Sequence, residues 1–510
     1  MSQSLRLLTS TPQESEYSIH IGGRRWYLVD ANILPADTRQ YACVSYAFGQ
    51  ETLTNIIYSA NTMSARTVPV LETVQAIIGQ KDMALWIDSF CLSRHGNLLD
   101  WETRLDEMGK IYAHAKRVIV VLSPGSRQFL RLVGAKKKVL LGEGIPALDA
   151  LNQDAWVTRA WTYQEVVNVS HISDLLFVAE GEPETAVNGR EFFDTLGYIK
   201  QAYQQMVVEE EGHSPTMSPE LTVRLRFMNV DALEDVLVDA FTATYTERSA
   251  LQVMSNVEGR QVGRNEDYFT AMVGAITTSS AERESFRKVW DNITDEEPML
   301  NYILQPIKTA FAAERFMQIC EQKGDFSFIF TVNHRSKRRG QGWRPVPQGL
   351  NVICAWPSIG KSQPGDFTNG RLRLSGLWHM NNEVVDEPAS HFIDTWITLR
   401  NPNKGKEGTQ IGMVLECLRE IGFMGVRSPH DTISLQLGYF VPQNPCSVIT
   451  GDCTVFVSST IIWVFGAPGI LVEKVGTVGN TEKNSYRFIS VGMFVGDTSR
   501  AGKAEAINVV

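Results

Sequence analysis

Val118-Ile119-Val120-Val121-Leu122, closed by Pro124-Gly125, is the clearest strand in the chain. It is apolar at every position, so it reads as a strand buried on both faces, as in a parallel sheet. Just upstream, Leu105, Met108, Ile111, Tyr112 and Ala115 recur every third or fourth residue. Glu102, Arg104, Glu107 and Lys110 fall on the other side, which predicts an amphipathic helix. Further back, Leu85–Phe90 is a compact strand, Leu71, Val74, Ile77 and Ile78 fall at helical spacing, and Ala42–Tyr46 is a short apolar strand ended by Gly49. Tyr17–Val29 reads as a hairpin about Gly22-Gly23, a pair that supplies the positive φ of a tight turn. Downstream, Trp156–Val167 reads as one helix and Leu175–Val178 as a strand. Strands alternating with helices predict an open α/β sheet. In such sheets the ligand crevice lies beyond the carboxyl ends of the strands, here just after Tyr46, Asp88 and Leu122.

The character of the chain then changes twice. Residues 191–325 show helical periodicity, with an exposed loop expected over Val207–Pro219. From Phe326 onward short β-rich runs dominate: Asn351–Ala355, Arg371–Leu377, Phe392–Leu399, Cys453–Val457, Ile461–Phe465, Ile470–Val475 and Tyr486–Phe494. The expected division is therefore 17–190, 191–325 and 326–510.

The 510 residues are 43% apolar and 21% charged, ordinary globular usage that can fill several cores of about 100–200 residues each. A net charge of −9 argues against a general binder of polyanions, so no nucleic-acid partner is expected. Two short basic runs, Lys136-Lys137-Lys138 and Arg335–Arg344, read as solvated faces. The seven cysteines include no C-x-x-C pair, and no histidine pair stands at ligand spacing. Neither a disulfide framework nor a structural zinc site is expected, and a reducing compartment fits. Met1–Glu14 is polar, without a signal-peptide core. Thr460–Val472, the longest apolar run, is interrupted by Gly466, Pro468 and Gly469 and is shorter than the ~20 residues a membrane helix needs. It reads as buried strands of a cytoplasmic protein with no membrane span.

Two familiar patterns fail. Gly360-Lys361-Ser362 lacks the glycine of a phosphate loop, since Ala355 stands in its place. Gly142-Glu143-Gly144-Ile145-Pro146-Ala147 fits a dinucleotide fingerprint by letter only. Pro146 falls where the helix should start, and the stretch reads as a surface turn.

Three segments carry more weight. They are Tyr41-Ala42-Cys43-Val44-Ser45-Tyr46-Ala47-Phe48-Gly49; Leu85–Cys91, followed by Met108-Gly109-Lys110-Ile111-Tyr112-Ala113-His114-Ala115; and Arg159-Ala160-Trp161-Thr162-Tyr163-Gln164-Glu165. In order and spacing they resemble the three signature blocks of fungal heterokaryon-incompatibility (HET) domains. Arg264–Gly274 and Gly324-Asp325-Phe326-Ser327-Phe328 are similar to later blocks of that family, and Gly451–Arg487 to its β-rich tail. There are departures. Phe48 replaces a tryptophan, and Leu92-Ser93-Arg94 stand where the family has Ile-Asn-Gln, which puts a polar role of that loop in doubt.

The resemblance implies a TIR-like, flavodoxin-like fold and a place in incompatibility or cell-death signalling. Trp161-x-x-x-Glu165 is similar to the W-x-x-x-E segment of TIR enzymes that cleave NAD, in which the glutamate is catalytic. On that reading Glu165 is the catalytic residue. Ser45, Tyr46, Gly49, Asp88, Arg159 and Trp161 bind the ligand, NAD is the substrate, and no metal or other cofactor is needed. A carboxylate suits an oxocarbenium-like transition state, and an aromatic ring suits the flat bases. Arg159 could serve phosphate or a carboxylate. Read by residue type alone, Glu165 is a surface or capping carboxylate, Trp161 is core, and Asp88 either contacts a ligand or binds the amides of its own loop. The resemblance leaves two mechanisms open, a self-associated NAD-cleaving enzyme or an assembly platform that recruits an incompatibility partner and catalyses nothing, beside a third reading as a structural relic with an inactive domain.

Overall fold

The computed structural model describes residues 5–15, 17–35, 40–57, 62–79, 83–92, 108–135, 139–169, 171–211, 219–242, 248–257, 260–262, 265–276, 298–331, 334–337, 341–346, 359–360, 362–368, 370–380, 391–400, 409–420, 423, 429–443, 453–462, 465–475 and 485–510. The N-terminal part is built on an open sheet. Its strands are β1 (Arg6–Thr9), β2 (Ser18–Ile21), β3 (Arg24–Asp30), β4 (Tyr41–Tyr46), β7 (Ala84–Trp86), β8 (Arg117–Leu122), β9 (Leu175–Ala179) and β10 (Glu182–Asn188). The small hairpin of β5 (Thr52–Thr54) and β6 (Thr62–Ser64) stands apart from it. The order across the sheet is β10-β9-β8-β4-β7-β1-β3-β2.

The four middle strands, β7-β4-β8-β9, are parallel. In chain order they lie second, first, third, fourth. Every residue of β4 is buried, and so is every residue of β8 after Arg117, as continuous apolar runs demand. Gly22 and Gly23 take φ of +54° and +77° and pair Ile21 with Arg24 across a two-residue turn. β1 joins this hairpin to β7, antiparallel to both, with Leu7 and Leu8 buried. The sequence reading passed over β1, because its four residues lie within an otherwise polar stretch.

Helices Thr67–Ile78 and Arg127–Gly134 pack against β10 and its neighbours, and Trp161–Val167 packs against β4. The helices that follow are Gly189–Glu211, Pro219–Arg226, Met228–Thr242, Ala250–Val257, Asn265–Ile276 and Pro298–Gln322. Helix Asn265–Ile276 lies between Trp161–Val167 and Pro298–Gln322. A second eight-stranded sheet lies in the C-terminal part. Its order is Gly365–Thr368, Arg371–Met380, Cys453–Ser458, Gly466–Lys474, Ser485–Gly496, Gly438–Pro442, Ile433–Leu435, with Glu505–Val509 pairing to Arg371–Met380 and Ser485–Gly496.

Several expectations need correction. Phe392–Leu399 lies within a helix, His391–Arg400, in which Ile393, Trp396 and Ile397 are buried and Asp394, Thr395 and Thr398 are exposed. That three-and-one spacing is helical, not alternating. Gly142–Ala147 is no turn but part of helix Leu141–Asn152, which holds Pro146 inside it. Trp156–Val167 is not one helix: it breaks at Arg159-Ala160 into Ala155–Thr158 and Trp161–Val167. Of the loop expected over Val207–Pro219, Val207–Glu211 belongs to helix Gly189–Glu211 and Pro219 begins the next helix, while residues 212–218 lie outside the described residues. In the run Arg335–Arg344, of which residues 338–340 lie outside the described residues, Lys337 is exposed but the two end arginines are engaged by the protein. The Arg335 guanidinium donates to the carbonyls of Ile329, Thr331 and Trp343, and Arg344 is ion-paired with Glu314 and Glu321. Lys136–Lys138 and Asn351–Ala355 lie outside the described residues.

Candidate functional site

Because the chain passes from β4 to β7 on one side and then to β8 on the other, the sheet has a switch point between β4 and β8. There the carboxyl ends of the strands leave a crevice. The two short helices Ala155–Thr158 and Trp161–Val167 bring their side chains to it. Asp154 caps the first, accepting from the Trp156 amide at 2.8 Å. Its other oxygen accepts from the Ser123 amide at 2.9 Å, the Ser123 hydroxyl at 2.6 Å and the Ser126 hydroxyl at 2.7 Å. The loop after β8 is thereby tied to the helix that leads into the third sequence block.

Ser45 of β4 is the centre of the arrangement. Its hydroxyl accepts from the Trp156 indole N–H at 2.6 Å and donates to the Glu165 carboxyl. Ser45 is 1% exposed and Glu165 only 7%. Burial pushes the Glu165 carboxyl up to about 8, and the charge of Asp88 adds to this; the Ser45 hydrogen bond, Arg159 and Trp156 pull the other way. Glu165 is thus neither a surface carboxylate nor a cap. Burial favours its neutral, protonated form over the carboxylate.

The other residues singled out from the sequence divide. Asp88 and Arg159 both act on the Glu165 carboxyl electrostatically. Asp88 also accepts from the Ser89 amide at 2.6 Å, the turn role open to it from the start. The Arg159 guanidinium lies 5.8 Å from the ring centroid of Phe48, which is 37% exposed. Tyr46 faces inward: its hydroxyl sits 2.8 Å from that of Thr67 and 2.7 Å from that of Ser89. The Gly49 amide donates to Ser64 at 3.1 Å, so this glycine anchors the loop to β6. Trp161 is half-buried against the apolar core.

Sequence reading missed three contributors. Trp156 was visible only as an apolar residue of a helix. Asp154 carried no signal beyond its place before a helix. Arg66 donates to the Ala47 carbonyl at 2.8 Å and to the Glu180 carboxylate at 2.6 Å, fastening the loop after β4 to the end of β9. No spacing connects residues so far apart in the chain.

Among the described residues no group of three or more His, Cys, Asp or Glu side chains could hold a metal ion, and no helix is long and apolar enough to cross a membrane. Against known families, residues 41–165 match the family model described as Heterokaryon incompatibility protein (HET). The match opens on the first residue of β4 and closes on Glu165, so it spans β4 to β8 and both short helices of the site. No curated protein and no solved structure matches the chain.

Proposed function

We propose that this is a fungal incompatibility protein that signals cell death from the cytoplasm, and that its N-terminal domain cleaves the nicotinamide–ribose bond of NAD. The observation that carries this reading is the Ser45–Glu165–Trp156 network at the switch point of the sheet. The strand order supports it, because second-first-third-fourth begins the flavodoxin-like order that TIR-like domains share.

In this mechanism the pyridinium charge of NAD enters beside Glu165 and favours loss of its proton. The glycosidic C–N bond breaks, and its electron pair leaves on the ring nitrogen as neutral nicotinamide. The carboxylate, aimed by Ser45 and Trp156, stabilises the cationic ribose. Water attacks the anomeric carbon from the open face, and its proton passes to Glu165 or to solvent. Phe48 offers a flat apolar surface, and Arg159 above it offers charge to a phosphate. Self-association assembles a composite site around the crevice.

The second reading is a platform that self-associates, recruits an incompatibility partner and catalyses nothing. It draws support from the small exposure of Glu165, 7%, inside a network whose bonds are already made. Purified protein at high concentration with NAD separates the two, with nicotinamide release followed beside a folded Glu165→Ala variant. Release by the parent alone supports the enzyme. Equal release by both places the chemistry elsewhere, and no release from a self-associating parent leaves the platform.

A further inference from the structure

The two helices that carry the site are four and seven residues long. Helices this short do not hold their own shape, and their last carbonyls need partners. Both sets of carbonyls are met by arginines from beyond the matched residues. Arg260 is 8% exposed and donates to the Val157 carbonyl at 3.3 Å and the Arg159 carbonyl at 3.4 Å. Its other nitrogens reach the carbonyls of Asn256 at 3.0 Å and Ala232 at 2.8 Å, and its guanidinium lies 5.9 Å from the Tyr163 ring. Next to it Gln261 pairs with the break itself: Ala160 donates to the Gln261 carbonyl at 3.0 Å, and Gln261 donates to the Thr158 carbonyl at 2.7 Å.

Arg248 does the same at the far end. It is 2% exposed and donates to the carbonyl of Val167, the last residue of the helix that carries Glu165. It also reaches Asn168 at 2.7 Å and the Ala275 carbonyl at 3.1 Å. Asn168 in turn bonds the carbonyls of Gln164 at 3.1 Å and Gly274 at 2.9 Å. A cation at a helix C-terminus also complements the helix dipole. The short helix therefore has two anchors: Glu165 on β4, and Arg248 with helix Asn265–Ile276 behind it.

We propose that Arg248 and Arg260 are positioning residues for Glu165, so that the working site is built from Ser45, Trp156 and Glu165 together with Arg248, Arg260, Gln261 and helix Asn265–Ile276. Neither arginine is placed to touch substrate. Each holds a helix that carries one end of the Ser45–Glu165–Trp156 network. The proposal rests on the reading of Glu165 as the working carboxylate of the site.

The test uses the full chain with Arg248→Lys and Arg260→Lys, which keep the charge and lose the planar fork. Arg335→Lys is the control, since Arg335 is likewise bound to carbonyls but lies remote in the chain from these helices. Carbodiimide labelling of Glu165, read by mass spectrometry, needs no activity. Groups that face the carboxyl are Asp88, Arg159, Cys43 and Tyr112, and burial holds the last two in their neutral forms. Expected are at least about ten-fold faster labelling of Glu165 in the two site variants and unchanged labelling in the control. Nicotinamide release should fall about ten-fold in kcat with little change in KM, because orientation and not binding is lost. Thermal unfolding that drops equally in all three variants, with Glu165 labelled as in the parent, overturns the proposal. Faster labelling without nicotinamide release from the parent upholds the positioning and removes the enzymatic reading instead.

Discussion

At Glu165 the proton is held by burial, and stability must therefore depend on pH. The folded carboxyl titrates at about 8 against an ordinary value of 4.5. Between those values the native state binds more protons than the unfolded chain, so stability falls as pH rises through the window. The contribution is present in full below 4.5 and lost as pH passes about 8, each pKa unit being worth about 1.4 kcal/mol. Glu165→Gln keeps the shape and has no charge to bury. Its melting temperature should gain on the parent's steadily from about pH 5 to about pH 9; parallel curves for the two proteins would refute the buried-acid assignment. If the group is also the catalytic carboxylate, kcat/KM should climb over the same range as it ionises. Close contact acts differently at Gly109. A Cβ there would overlap the Gly274 carbonyl oxygen, with backbone on both sides and no flexible side chain to give way. Gly109→Ala should cost about 1–3 kcal/mol in urea denaturation. Gly142→Ala, whose Cβ meets nothing within 4 Å in a helix, should be neutral or stabilising. Equal effects at the two positions would mean that the chain does not pack as described at Gly274.

Among elements, helix Ala250–Val257 shows how a distant segment caps a helix. Asp325 accepts from the Ala250 amide at 2.6 Å, and Ser327 accepts from the Leu251 amide at 3.0 Å. Asp325 also accepts from the amides of Ser327 at 2.9 Å and Gln363 at 3.2 Å. The Gly324–Phe328 block is thus a cap for one helix and a tie to the C-terminal part. Asp325→Ala leaves buried amides without an acceptor, at about 1–3 kcal/mol each in the worst case. Protease cleavage near residue 257 should become faster in that variant, and an unchanged digest would count against the cap. Elements were legible where one pattern ruled. β8 is apolar throughout, and the Gly22-Gly23 turn allows few other structures. Elements were lost where pairing partners decide. β1 is a strand only because β3 and β7 flank it, and Ile393, Trp396 and Ile397 form a helical face that their β-rich composition concealed. The site was legible in the same uneven way. Ser45 and Glu165 could be singled out because both lie in recognisable blocks. Arg248 and Arg260 could not, since they meet carbonyls 80 or more residues upstream and the backbone carries no sequence signature.

On the scale of the molecule, the matched domain and the helices after it share one core. Tyr163, Val166 and Val167 are buried on the helix that also packs against Met228–Thr242 and Asn265–Ile276. Gly274 approaches so closely that a Cβ on it would overlap the Gln164 side chain. A fragment ending at residue 211 keeps the whole N-terminal sheet but strips this face and frees both ends of the two short helices. Burial is worth about 25 cal/mol per Å² of apolar surface, so exposing three large side chains and two clamped helix ends removes several kcal/mol from a balance of only about 5–15. The 1–211 fragment should therefore bind a hydrophobic dye and melt without a sharp transition, while a 1–331 fragment, which restores Arg248, Arg260, helix Asn265–Ile276 and the Asp325 cap, should unfold cooperatively. Differential scanning calorimetry on the two decides the matter. A sharp transition in the shorter fragment at the temperature of the longer one would mean that the matched domain is complete without the helices after it, and that their contact is only a docking of separate units.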